Sequence, residues 1–123
     1  GVAVVSILAD GFAEAGPEGL ARQQRAAAIA RDAGILLIGP NSTGTVSTAS
    51  GFACTTNAAF ATPSITRGHT AVLSQSGSVI GTLLSRGQER GHGFSTLVSL
   101  GNEIPSAGAV VNNWETTSFG DSL

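Results

Sequence analysis

Twice along this chain a short apolar run enters a glycine-rich loop, passes into a helical stripe and returns as a second apolar run. Parallel strands need a crossover of that kind, so the alternation constrains the fold to βαβ units with helices on the sheet faces. The first unit opens with "VAVVSIL" (2–8), loops through "ADGFAEAGPEG", and starts a helix at Pro17 and Glu18, where proline is tolerated in the first turn. Ala26, Ile29, Ala30 and Ala33 share one helical face, Gly34 is a C-terminal stop, and "ILLIG" (35–39) is the return strand. The first run reads as a strand buried on both sheet faces, and the return run as a second buried strand. The second unit has "TAVLS" (70–74) and a helix striped by Ile80, Leu83, Leu84 and Gly87, with Ser78, Thr82, Ser85 and Glu89 opposite. It closes with "STLVSLG" (95–101), and "AVVNNWE" (109–115) reads as a last helix.

Residues 45–68 are rich in Ser, Thr and Ala without a clear period, and read as a connection between domains holding one short strand at Phe52 to Thr55. The expected division is therefore 1–44, 45–68 and 69–123. Two strands per unit leave sheet faces bare, so each unit calls for neighbours beyond itself.

Several function classes are excluded by what the chain lacks. Its net charge of −2 provides no field for nucleic acid or a membrane surface. All six basic residues are arginine, which removes a Walker-type phosphate loop and lysine Schiff-base chemistry. Cys54 is the single cysteine, so neither an intrachain disulfide nor a cysteine metal cluster is expected, and a reducing cytoplasm fits. Cys54 itself reads as a small buried apolar residue. The longest apolar runs fall short of the ~18 residues that suggest a membrane span, and no signal peptide is expected. His69 and His92 read as solvated loop histidines without metal-ligand spacing, and Trp114 as packing. The sequence has no methionine and opens at Gly1 on a strand-like run. It reads first as a piece of a longer protein and second as a processed chain.

Parallel α/β sheets bind ligands at the carboxyl ends of their strands. Four loops belong there: "ADGFAEAG", "GPNSTG", "LSQSGS" and "LGNEIP". In the third, Ser74, Gln75, Ser76, Gly77 and Ser78 separate a strand from a helix. The first turn of that helix presents unpaired N–H groups and roughly half a positive charge. Ser76 and Ser78 add hydroxyls, and Gly77 lacks a Cβ, so the turn reads as a phosphate cradle built without a cation. A plain N-cap explains one serine but not three with a glutamine. A nucleophile elbow with Ser76 as a hydrolase nucleophile is a rival, but His92, the only downstream histidine, lies beyond the helix. Glu14 and Glu103 lie on active-end loops, as binding or as solvated carboxylates.

Taken together, "GFAEAGPEG", "IGPNSTG" and "VLSQSGSVIGTLLSRGQERGHGFSTLVSLGNE" resemble the NDP-forming acyl-CoA synthetases, relatives of the succinyl-CoA synthetase α subunit and of ADP-forming acetate–CoA ligases. The resemblance implies that 1–44 is the last βαβ piece of a Rossmann-like CoA-binding domain, and 69–123 the start of a flavodoxin-like domain. It implies CoA-side or active-end roles for Phe12, Glu14, Gly39, Pro40, Asn41, Ser42, Gly101, Asn102 and Glu103, and phosphate binding by 74–78. The implied reaction joins a carboxylic acid to CoA at the expense of ATP or GTP, through an acyl phosphate and a phosphohistidine. That histidine lies further along the chain in the family and matches neither His69 nor His92, so no catalytic residue and no metal ligand is expected here. ATP or GTP with magnesium, and an ATP-grasp domain or subunit as partner, lie outside this stretch. A non-catalytic CoA- or anion-binding module is the alternative. After Glu103 the resemblance fades.

Overall fold

A computed structural model of the chain describes residues 1–61 and 64–102. Strand β1 (Val4–Ser6), helix α1 (Pro17–Asp32) and strand β2 (Leu36–Ile38) form the first unit, with a 3-10 turn at Ala13–Ala15. Strands β3 (Gly44–Ser47) and β4 (Phe52–Thr55) follow, then a 3-10 turn at Ala58–Phe60. Strand β5 (Arg67–Ser74), helix α2 (Gly77–Glu89) and strand β6 (Phe94–Ser99) form the second unit. The expected last helix at 109–115, Trp114 and Glu103 lie outside the described residues.

The α/β class and both parallel crossovers are present. β1 pairs with β2 in parallel, Val5 opposite Leu37, and β5 pairs with β6 in parallel, Val72 opposite Leu97. Helix α1 begins with Pro17 at its first position, and Gly34 follows its end with φ +65°, a backbone that favours glycine.

Residues 45–68 do more than connect. Their first part builds the antiparallel hairpin β3–β4, and β3 also pairs antiparallel with β6, giving a four-stranded sheet ordered β4-β3-β6-β5. In β3, buried and half-buried residues alternate, with Gly44 and Val46 inside. A strand with one aliphatic side chain is held by its ladder bonds and its register on β6 rather than by its own hydrophobicity.

The main core sits between α2 and this sheet. Ile80, Leu84, Phe94 and Leu97 are buried together, with Phe60, Ile65 and Val72 packed against them. Each such aliphatic side chain contributes about 1.5–3 kcal/mol on burial. A second, smaller core joins Ala30 and Leu37 to Ile7, Ala26, Ala27 and Ile35. Here α1 approaches its sheet through alanines.

Four expectations about burial need correction. The β1 run is not covered on both faces: Val2 is 66% exposed, Val4 48% and Val5 37%. A two-stranded sheet with one helix has nothing to cover its other flank among the described residues. Ile29 and Leu83 are 60% and 46% exposed, because the buried side of α1 is centred on Gly19 and Ala30 and that of α2 on Gly77, Ile80, Gly81 and Leu84. Cys54 is exposed on β4. His69 and His92 are both exposed, as expected, but His69 lies within β5 rather than in a loop. Among the described residues no helix is long and apolar enough to cross a membrane.

Candidate functional site

The carboxyl ends of β1, β2, β5 and β6 lie together, and the loops leaving them interlock. Loop 9–16 is organised by Glu14. Its Oε1 accepts the Gly11 and Phe12 amides at 2.5 and 2.9 Å, and its Oε2 accepts Asn102 Nδ2 from the loop after β6. Asn102 Nδ2 also donates to Gln23 Oε1 on α1 at 3.1 Å, and that oxygen accepts the Ala13 amide at 3.2 Å. Asn41 Nδ2 donates to Asn102 Oδ1 at 3.3 Å, and the Asn102 amide donates to the Pro40 carbonyl at 2.7 Å. Asn102 thus holds three loops in one network. The Asn102 side chain, then the Phe12 amide, hold the Glu14 carboxyl well below its ordinary range, at about 2, against an opposing effect of burial. Beside this network Arg22 donates to the Gly11 carbonyl, and its guanidinium stands 6.0 Å from the Phe12 ring centroid.

The Pro40–Gly44 segment carries the network across to the second sheet. Gly39 and Gly101 both have positive φ, and a Cβ on either would strike backbone, that of Ile7 and that of Pro40 and Asn41 respectively. Ser42 is buried. Its Oγ donates to the Ser99 carbonyl at 2.6 Å and accepts the Gly44 amide at 3.0 Å, so this hydroxyl pins the crossing to β6. The Thr43 amide donates to Ser99 Oγ at 3.1 Å.

The turn between β5 and α2 completes the rim. The Leu100 amide donates to the Ser74 carbonyl at 2.8 Å, which binds the two strand ends together. Ser74 Oγ accepts the Ser76 amide at 3.2 Å and lies 3.1 Å from the Ser76 carbonyl, to which it donates. Ser76 is the residue before the helix, extended at φ −92° and ψ 120°, yet its side chain caps no helix amide. Its Oγ lies 3.0 Å from Ser78 Oγ instead. The amides of the exposed Ser78 and Val79 are therefore left to solvent or a ligand, with two exposed hydroxyls beside them. The expectation that the missing Cβ of Gly77 opens the backbone to a ligand needs correction: Gly77 is buried, and that space is filled by the Thr43 side chain. Access to this turn is from the Ser76 and Ser78 side.

The sequence-predicted residues fall into two groups, the Phe12, Glu14, Pro40, Asn41 and Asn102 network and the 74–78 turn, with Ser42 between them. The sequence reading missed Gln23, Thr43 and Asn57. Asn57 is the residue before the Ala58–Phe60 turn, a position asparagine favours, and that is the signal it carries. The hydrolase geometry is absent among the described residues. Ser76 Oγ is bonded to Ser78, and His92 stands past the far end of a 13-residue helix, about 20 Å away along its axis. Among the described residues no cluster of His, Cys, Asp or Glu could hold a metal.

Parallel strands whose carboxyl ends gather glycine, serine and asparagine loops around a bare helix start define an α/β ligand-binding scaffold. Residues 67–115 match the family described as succinyl-CoA ligase like flavodoxin domain. The chain is 37% identical over 97 residues to acetate–CoA ligase [ADP-forming] I of Archaeoglobus fulgidus, covering 79% of this chain and 14% of that protein. It is 36% identical over 103 residues to the α subunit of acetate–CoA ligase [ADP-forming] I of Pyrococcus furiosus, covering 84% of this chain and 21% of the relative. The fold superposes with a TM-score of 0.71, at 26% identity, on the dinucleotide forming acetyl-coenzyme A synthetase 1 of Ca. Korarchaeum cryptofilum, solved with phosphate and ADP, over 82% of this chain and 20% of that one. Over the matched stretch the chain is similar to ADP-forming acetate–CoA ligases, and it spans 14% and 21% of the length of these two relatives.

Proposed function

We propose that this chain forms part of an acid–CoA ligase, which joins a carboxylic acid to CoA with consumption of ATP or GTP through an acyl phosphate and a phosphohistidine. The Glu14, Asn41 and Asn102 network lines the CoA side, as the end of a Rossmann-like domain. The first turn of α2, in a flavodoxin-like domain, receives the phosphoryl group. The nucleotide and its magnesium ion belong to an ATP-grasp domain or subunit, and the phosphorylated histidine to a loop further along the chain. The observation that carries the reading is the α2 turn itself, with the uncapped amides of Ser78 and Val79 and the exposed hydroxyls of Ser76 and Ser78. A dianion there accepts several N–H and O–H bonds in the positive field of the helix.

The test is acyl-CoA formation by the full-length gene product with acetate or another short acid, CoA, and ATP or GTP. The reading expects turnover, and a loss of at least tenfold in Ser76→Ala/Ser78→Ala, with the affinity for CoA retained. The 123 residues alone are expected to make no acyl-CoA. CoA binding without turnover under every nucleotide and acid would favour the non-catalytic module, and neither binding nor turnover would refute both.

A further inference from the structure

We propose that Asn57 is a positioning residue for the first turn of α2, an inference that rests on the phosphate reading of that turn. Its side chain bridges two elements. Oδ1 accepts the Ala59 amide at 3.0 Å and caps the Ala58–Phe60 turn, while Nδ2 donates to the Gly77 carbonyl at 2.8 Å. The Asn57 amide in turn donates to Thr55 Oγ1 at 3.0 Å, and that hydroxyl donates to the Thr43 carbonyl at 2.5 Å. Thr43 closes the loop by packing its side chain into the space above Gly77.

Gly77 and Gly81 stand four residues apart, on one face of α2. A Cβ at Gly81 would press on Ala59 and approach the Asn57 amide. Gly81 thus lets the 57–59 segment lie directly on the helix, as Gly77 makes room for Thr43. Ser76 and Ser78, on either side of Gly77 in the chain, are exposed.

The bond to Gly77 has an electronic consequence as well as a geometric one. The Gly77 carbonyl and the Ser78 amide belong to one peptide group. A donor on the carbonyl polarises that group and makes the Ser78 N–H a better donor toward an anion. Asn57 therefore acts on the phosphate through the peptide between Gly77 and Ser78, without touching it.

Asn57→Asp separates this role from simple capping, since the carboxylate still accepts from Ala59 but offers no proton to Gly77. The experiment is a titration of the full-length gene product with inorganic phosphate, read at the 15N-labelled amides of 77–79. The unmutated protein should show saturable shifts there, and Asn57→Asp and Asn57→Ala should both bind about threefold to tenfold more weakly, the size of one neutral hydrogen bond. Binding by Asn57→Asp equal to the unmutated protein overturns the proposal, since capping alone then explains Asn57. Absence of any phosphate shift in the unmutated protein overturns the phosphate reading instead. If the variants fail to fold, the unmutated protein still decides. A through-bond coupling from Asn57 Nδ2 to the Gly77 carbonyl, and movement of the Asn57 side-chain resonances with phosphate, are expected, and their absence would overturn the proposal.

Discussion

Gly77→Ala tests how the α2 turn is built. The new methyl group would overlap Thr43 Oγ1, Cγ2 and Cβ. Thr43 has little freedom to withdraw. Its β-branched side chain is stiff at χ1. Its amide is bonded to Ser99 Oγ at 3.1 Å, and its carbonyl accepts both Thr55 Oγ1 and, at 3.1 Å, the Thr56 amide. Overpacking of this kind costs about 1–3 kcal/mol, while replacing glycine by alanine in a helix returns at most about 1 kcal/mol. The net expectation is a destabilisation of about 1–2 kcal/mol, read as a fall in the urea midpoint at constant m-value. Thr43→Ala should be mild, because Thr43 Oγ1 is buried without a partner and its removal relieves an unsatisfied group as well as deleting a methyl. The double variant should recover at least half of the Gly77→Ala loss, since the two side chains compete for one space. A Gly77→Ala protein as stable as the parent, or strict additivity in the double variant, would refute the packing argument.

Three other outcomes follow from the same structure. Glu14 should titrate near 2 rather than 4.5 by carboxyl 13C shift, and Asn102→Ala should move that midpoint upward. Because the folded value is the lower one, the contribution of this tether is complete above about 4.5 and is lost as pH falls through about 2, so loop 11–14 should loosen only in that acid window. Leu97→Ala, at a residue with no exposed surface, should cost about 2–5 kcal/mol in denaturant unfolding. Cys54, exposed on β4, should react with a thiol reagent at one equivalent without denaturant, whereas protection until unfolding would contradict its placement.

Much of the fold was legible because its strands announce themselves. "ILLIG" and "STLVSLG" are short runs rich in aliphatic residues and closed by glycine, and the helices carry Pro17 at a start and Gly34 and Gly91 at the ends. The β3–β4 hairpin was half hidden, because Gly44, Thr45, Val46 and Ser47 gain their burial from pairing with β6, which lies some fifty positions on. Ile29 and Leu83 were assigned inward because a helical stripe shows its width but not which of its edges a neighbour covers. At the rim, the four loops were visible as strand-to-helix turns; Glu14 could be named from them, and Asn41 and Asn102 from the family resemblance. Gln23, Thr43 and Asn57 could not, since each is a single polar residue whose partner is ten or more positions away. For Gly77, its small size was evident but not which neighbour occupied the space.

The Pro40–Gly44 crossing has one more consequence. Asn41 meets the Asn102 network at one end, and Thr43 bears on Gly77 at the other, with the Ser42 hydroxyl locked to β6 between them. A segment so short and so thoroughly bonded behaves as a strut rather than a tether. A displacement of a fraction of an ångström at Asn41 is expected to arrive at the start of α2 almost undiminished, giving the two ends of the rim a mechanical line of communication with no hinged flap.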